Sequence, residues 1–167
     1  MDKILRQSLN ANALRAVFID QLSILYNAKT SLIACIPNLV LQATFRDLKL
    51  ALQEDLDDTN RQMIALKSIF NSMNESWLTN ACLGMNNLMK EAYTQVNLDK
   101  ARHFESDMSI LFYMSVVENL QIGATEILNK IALKLDYQPY AQLVTECLDM
   151  VKENSGLLYS VTAEYLQ

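Results

Sequence analysis

Apolar residues recur along this chain at three- and four-residue spacing in four long runs, the pattern of helices that bury one face. Leu14, Phe18, Leu22, Leu25, Leu32, Ile36 and Leu39 define a first helix over about Asn12 to Leu41. Asn12 is placed to cap it, and Pro37 should kink it or mark its last turns. Leu48, Leu52, Leu56, Met63, Leu66, Ile69 and Phe70 define a second, over about Thr44 to Met73. A less regular stretch from Asn74 to His103 follows, with a short helix predicted over Cys82 to Gln95. The third long run spans Glu105 to Leu135, weakened at Gly123. Asp136-Tyr-Gln-Pro139 is a turn, with Pro139 suited to the first turn of a last helix over Tyr140 to Tyr165.

Two hairpins of long helices joined by a long middle connection describe a ferritin-like antiparallel four-helix bundle with one crossover carrying a short extra helix. The chain has 167 residues, the size of a single domain, taken here as 1–167. Only 3 Gly and 2 Pro occur, and no Asn-Gly or Asp-Gly hairpin turn, so the fold class is all-α.

The stripes are interrupted at mid-length. Lys29 falls in the row of helix one. Asp55, Thr59 and Gln62 fall in the row of helix two, with Asp58 beside them, and Glu118, Gln121 and Thr125 fall in the row of helix three. The row of helix four reads Val144, Cys147, Val151, Ser155, Leu158, without a carboxylate. Charged and amide side chains in a core are costly unless paired or ligated, and in helical bundles such positions usually build a site between facing helices. A di-metal carboxylate site takes a Glu from each of two helices and a Glu-x-x-His pair from each of the others. This chain has one histidine, His103, in the connection, and no Glu-x-x-His. His103 reads as a solvent or helix-start residue. Asp57, Asp58, Glu118 and Gln62 would be the metal donors left, beside a repelling Lys29 ammonium.

Charge and cysteine content narrow the classes further. The net charge of −5 argues against a broad nucleic-acid footprint. The longest uncharged apolar run, Ser31 to Ala43, is too short to span a bilayer, and the start Met1-Asp-Lys-Ile-Leu-Arg does not read as a secretory signal. Cys35, Cys82 and Cys147 are widely spaced and odd in number, which fits reduced buried thiols in a cytoplasmic protein.

Five stretches in order resemble the YciF/YciE-like family, a ferritin-related bacterial group of unknown molecular function associated with stress. They are Leu25-Tyr-Asn-Ala-Lys-Thr-Ser-Leu32 with Pro37, Leu56-Asp-Asp-Thr59 with Gln62, Cys82-x-x-Met85-x-x-Leu88 with Glu91 and Ala92, Val117-Glu-Asn-Leu-Gln-Ile122, and Glu146-x-Leu148 with Lys152. The departures fall on the family's acidic positions. Lys29 stands for its first-helix Glu, and Asp57-Asp58 stand for its Glu-Glu. Asn119 and Gln121 stand for its His and second Glu, and Val151 and Ser155 replace its later acids. The resemblance therefore implies the bundle and a tendency to form a homodimer, with Lys29, Asp57, Asp58, Gln62, Glu118, Gln121, Val151 and Ser155 as a vestigial metal site. No catalytic residue, cofactor, nucleic acid or membrane partner is expected. The expected pairing is Lys29 with Asp58, Glu118 or both, its ammonium in the place of the lost cation. A residual iron-handling oxidase and a small-molecule module with a pocket around Gln62 and Gln121 are the competing readings.

Overall fold

The computed structural model describes residues 10–79, 83–98 and 101–167. Among them the secondary structure is five helices: α1 (Ala11–Gln42), α2 (Arg46–Ser72), α3 (Leu83–Leu98), α4 (His103–Lys134) and α5 (Gln138–Tyr165). Cys82 lies outside the described residues. Asn10, rather than Asn12, caps α1, its side chain accepting from the Asn12 backbone N–H at 3.0 Å. Pro37 lies inside α1, which continues past it to Gln42. Pro139 occupies the first turn of α5, and His103 opens α4 exposed to solvent.

The chain turns without glycine. Asn74 and Asp136 take the left-handed conformation, with φ of 53° and 57°, just past the ends of α2 and α4. Short polar side chains tolerate that region best after glycine. At each end the following N–H reaches back five residues, Glu75 to the Phe70 carbonyl at 3.0 Å and Tyr137 to the Ala132 carbonyl at 3.1 Å.

Each of the four long helices lies against two others, α1 against α2 and α4, and α5 against the same pair. Phe18 near the start of α1 meets Phe70 near the end of α2 and Leu128 near the end of α4. At the opposite end Leu39 of α1 meets Leu48 of α2 and Ile110 of α4. Asn129 to Thr145 and Lys152 to Glu126 run α5 back along α4. Neighbouring helices are thus antiparallel, while α2 and α4 are diagonal and parallel. The connection from α2 to α4 must therefore travel the length of the bundle.

That connection is pinned to α1 along its course. Trp77 stacks on Tyr26 with ring centroids 4.4 Å apart, and Leu78 exchanges hydrogen bonds with Ser23 and Asn27. Farther on, Met89 and Val96 of α3 are buried against the cluster that holds Leu32 and Ile36. By length and composition α1 is apolar enough to cross a membrane, but its apolar stripe is packed inside the bundle around a buried Lys29.

The core falls into two apolar clusters. One gathers around Phe18, Leu22, Leu66, Phe70 and Val144, the other around Ile36, Leu52, Ile110, Met114 and Leu158. Between them, at mid-height, lies a layer of buried polar side chains.

Candidate functional site

All four rows read from the sequence face inward, and they meet in that layer. Lys29 comes from α1, Asp55, Asp58, Thr59 and Gln62 from α2, Glu118, Gln121 and Thr125 from α4, and Val151, Asn154 and Ser155 from α5. Each long helix passes the same height with its i, i+3, i+4 stripe inward, so residues of distant sequence come together.

Lys29 is 0% exposed and is the centre of the layer. Its ammonium donates to the Oε1 of Gln62 and, at 2.5 Å, to the Oε1 of Gln121. Gln121 passes the contact on, its Nε2 donating to Glu118 Oε1 at 2.8 Å. Asp55 Oδ1 accepts from Thr59 Oγ1 at 3.3 Å and from Asn154 Nδ2 at 3.2 Å. Among the described residues of this layer, three buried oxygens have no protein hydrogen-bond partner: Asp55 Oδ2, Glu118 Oε2 and Thr125 Oγ1.

This corrects the expected pairing. The ammonium is held by two amide oxygens and meets Glu118 through Gln121, and Asp58, itself buried, pairs with Arg61 of its own helix at 2.6 Å. Asp57, the neighbour in sequence, is exposed. A helix turns about 100° per residue, so adjacent acids on α2 cannot both face the core. Asp55, three residues before Asp58, is also buried and meets α5 through Asn154.

Burial dominates the electrostatics. It holds the Lys29 ammonium below its ordinary range, with the Glu118 charge opposing. It raises Asp55 to about 6 and Glu118 well above the usual carboxylate range, the Asp55 charge adding to the effect on Glu118. The Cys147 thiol is pushed up to about 11 by burial, against the Lys29 charge.

The residues present do not fit a divalent metal. An ammonium at the centre repels a cation, and the amide oxygens that would help coordinate one already accept from Lys29. Among the described residues no group of three His, Cys, Asp or Glu is arranged to hold an ion. Gln62 and Gln121 are likewise spent on Lys29. Two grooves lie elsewhere, between α4 and α5 around Phe112 and Tyr159, and between α1 and α3 around Cys35 and Tyr93.

Sequence reasoning placed Asp55 in the row of α2 but left it out of the site, and it missed Asn154. Residue 154 follows Val151 by three, the alternative helical step to the i+4 of Ser155, and both are buried. The i, i+4 spacing of Asp55 and Thr59 was the available signal for the first.

Residues 13–165 match the family described as a domain of unknown function, DUF892, and the chain belongs to that family. No curated protein matches it. Among solved structures it is similar to the E. coli stress protein YciF, with a TM-score of 0.86 and 23% identity over 92% of this chain and 96% of that one. It is also similar to YcfI of Rhodopseudomonas palustris, with a TM-score of 0.81 and 23% identity over 91% of this chain and 96% of that one. At this identity the likeness establishes the shared fold, a ferritin-like helical bundle of the YciF kind.

Proposed function

We propose that this DUF892 protein is a non-catalytic, metal-free member of the ferritin-like group that works in the cytoplasm through association, as a homodimer. The observation that carries the metal-free reading is the Lys29 ammonium, fully buried between Gln62 and Gln121 in the polar layer. A cation supplied by the chain satisfies acceptors that a metal would otherwise need, and it does so without open coordination positions for chemistry. A link to stress is proposed from the likeness to the E. coli stress protein alone.

Association is supported by the groove along α4 and α5. Met108, Phe112, Val116, Leu120 and Tyr159 line it, and no residue of its lining carries a charge. Phe112 is 63% exposed and Leu120 51%. On a chain of net charge −5, two copies meeting at an uncharged face avoid the repulsion that opposes contact elsewhere.

Elemental analysis tests the metal-free reading. Purified protein is incubated with iron(II), manganese(II) or zinc(II), desalted and assayed. Retention far below one equivalent is expected. Stoichiometric retention that disappears in Asp55→Asn and Glu118→Gln would overturn it.

A further inference from the structure

α2 exposes Glu54, Asp57, Arg61 and Lys67, the polar outer face of an ordinary bundle helix. α4 lacks such a face. From Met108 to Thr125 its one charged residue is Glu118, which is buried. Opposite the buried row runs a second apolar row, Phe112, Val116, Leu120 and Ile127, and all but Val116 are more than half exposed. A helix that is apolar on two sides needs cover on both. On one flank α3 supplies it: Met89 is buried in the cluster with Ile110 and Met114, and the Tyr113 hydroxyl donates to Glu91 at 3.2 Å. On the other flank lies the open groove toward α5.

α5 continues the uncharged face. From Asn154 to Ala163 it carries no charged residue, and it lends the groove Tyr159 and Thr162. The polar groups there are satisfied within the chain. Asn119 Nδ2 donates to the Ser115 carbonyl at 2.7 Å and to the Tyr159 hydroxyl at 3.2 Å, and the Thr162 hydroxyl donates to the Leu158 carbonyl at 2.8 Å. The uncharged stretches are about 27 Å long on α4 and about 15 Å on α5, so at a helix width of about 10 Å they cover about 400 Å². Uncharged surface on that scale marks an interaction site on a monomer.

The ends of the α4 row carry opposite charges. Glu105 precedes Phe112 by seven residues, Lys130 follows Ile127 by three, and both are exposed. Arg102 approaches Glu105 only to 3.7 Å, and Glu126, beside Lys130, is already paired with Lys152 at 3.0 Å. A second copy laid parallel would set Glu105 against Glu105 and Lys130 against Lys130. Laid antiparallel, it sets each Glu105 against the Lys130 of the other copy, outside an apolar centre. The same register brings Met108 opposite Ile127 and Val116 opposite Asn119.

We propose that two copies of this chain pair about a two-fold axis through the α4 row, with α4 antiparallel to α4 of the second copy and the axis between Val116 and Asn119. Such an interface is isologous, the same patch on both sides, so one uncharged face supplies its own complement. The arrangement rests on the proposed homodimer and adds its axis and its direction.

Cysteine cross-linking on the full chain reads the geometry, with the wild type and its own three cysteines as background. Copper-phenanthroline oxidation should convert Val116→Cys into a disulfide-linked dimer, because the two copies of residue 116 lie beside the axis. Ile127→Cys should give no band above the background, because its symmetry mate is about 28 Å away along the helix. Asn119→Cys, also beside the axis, serves if Val116→Cys does not fold. Sedimentation equilibrium on the same reduced samples gives the oligomeric state. A dimer that cross-links at neither position 116 nor 119 overturns the arrangement alone. Cross-linking through Ile127→Cys as efficient as through Val116→Cys does the same, in favour of a parallel pair. A wild type that stays monomeric overturns the arrangement together with the proposed homodimer.

Discussion

Lys29 donates to the Oε1 of Gln121 at 2.5 Å, and this contact sets which end of the amide faces the rest of α4. The chain from ammonium to amide to the Glu118 carboxyl ties α1 to α4 at the height where the two apolar clusters part.

Removing the ammonium should be severe. Lys29→Met leaves Gln62 and Gln121 oxygens buried without a donor and Asp55 and Glu118 without a cation. Breaking a buried charge arrangement from one side typically costs about 3–5 kcal/mol. Denaturant unfolding of Lys29→Met should show a loss of that size, and a loss under about 1 kcal/mol would mean that the layer admits water.

Asp55 makes the stability respond to acid in an unusual direction. Its carboxyl is raised by burial from 3.8 to about 6, so the folded state binds its proton more tightly than the unfolded state. The stabilising contribution is complete below pH 3.8 and is lost as pH rises through about 6. Relative to Asp55→Asn, the wild type should therefore lose stability across that window, by at most about 3 kcal/mol. Parallel unfolding curves of the two proteins from pH 4 to pH 7 measure the difference, and a constant offset would contradict it.

A second buried acid has a purely architectural task. Asp107 of α4 accepts from the backbone N–H groups of Thr44 and Phe45 at 2.8 and 2.9 Å, and from the Tyr165 hydroxyl at 2.9 Å. Phe45, the N-cap of α2, makes no side-chain cap of its own, so the cap comes from another helix. Asp107→Ala should cost about 3 kcal/mol and Tyr165→Phe about 1 kcal/mol. A double-mutant cycle should show the two losses to be non-additive.

Gly123 and Gly156 lie in helix interiors, and a Cβ at either would meet nothing within 4 Å. Gly123→Ala and Gly156→Ala should each stabilise the protein by about 0.5–1 kcal/mol. A raised midpoint of thermal unfolding checks this, and a lowered one would reveal a partner packed on that face.

Phe112 tests association. Phe112→Lys places a charge in the uncharged groove at an exposed position, with little expected change in unfolding free energy. Sedimentation equilibrium should find the wild type dimeric and the variant monomeric.

The helices and their inward faces were legible before any coordinates, because 3.6-residue periodicity is a local property of the chain. The rows through Lys29, Gln62, Glu118 and Val151 are the rows that are buried. Local pattern also placed the polar layer at mid-length. It could not decide partners within the layer, because these depend on rotations of about 100° per residue and on which helices are diagonal. Asp58 faces Arg61 while Asp55 faces Asn154, a distinction invisible in a run of acids. The same holds for the cap of α2, supplied by Asp107 from 62 residues away in sequence. By itself the sequence determined that a cation from the chain would stand in an acidic bundle core. Only the tertiary structure decided that two amides would hold it, since a rigid core offers Lys29 the oxygens that its neighbours' rotamers present, and those belong to Gln62 and Gln121.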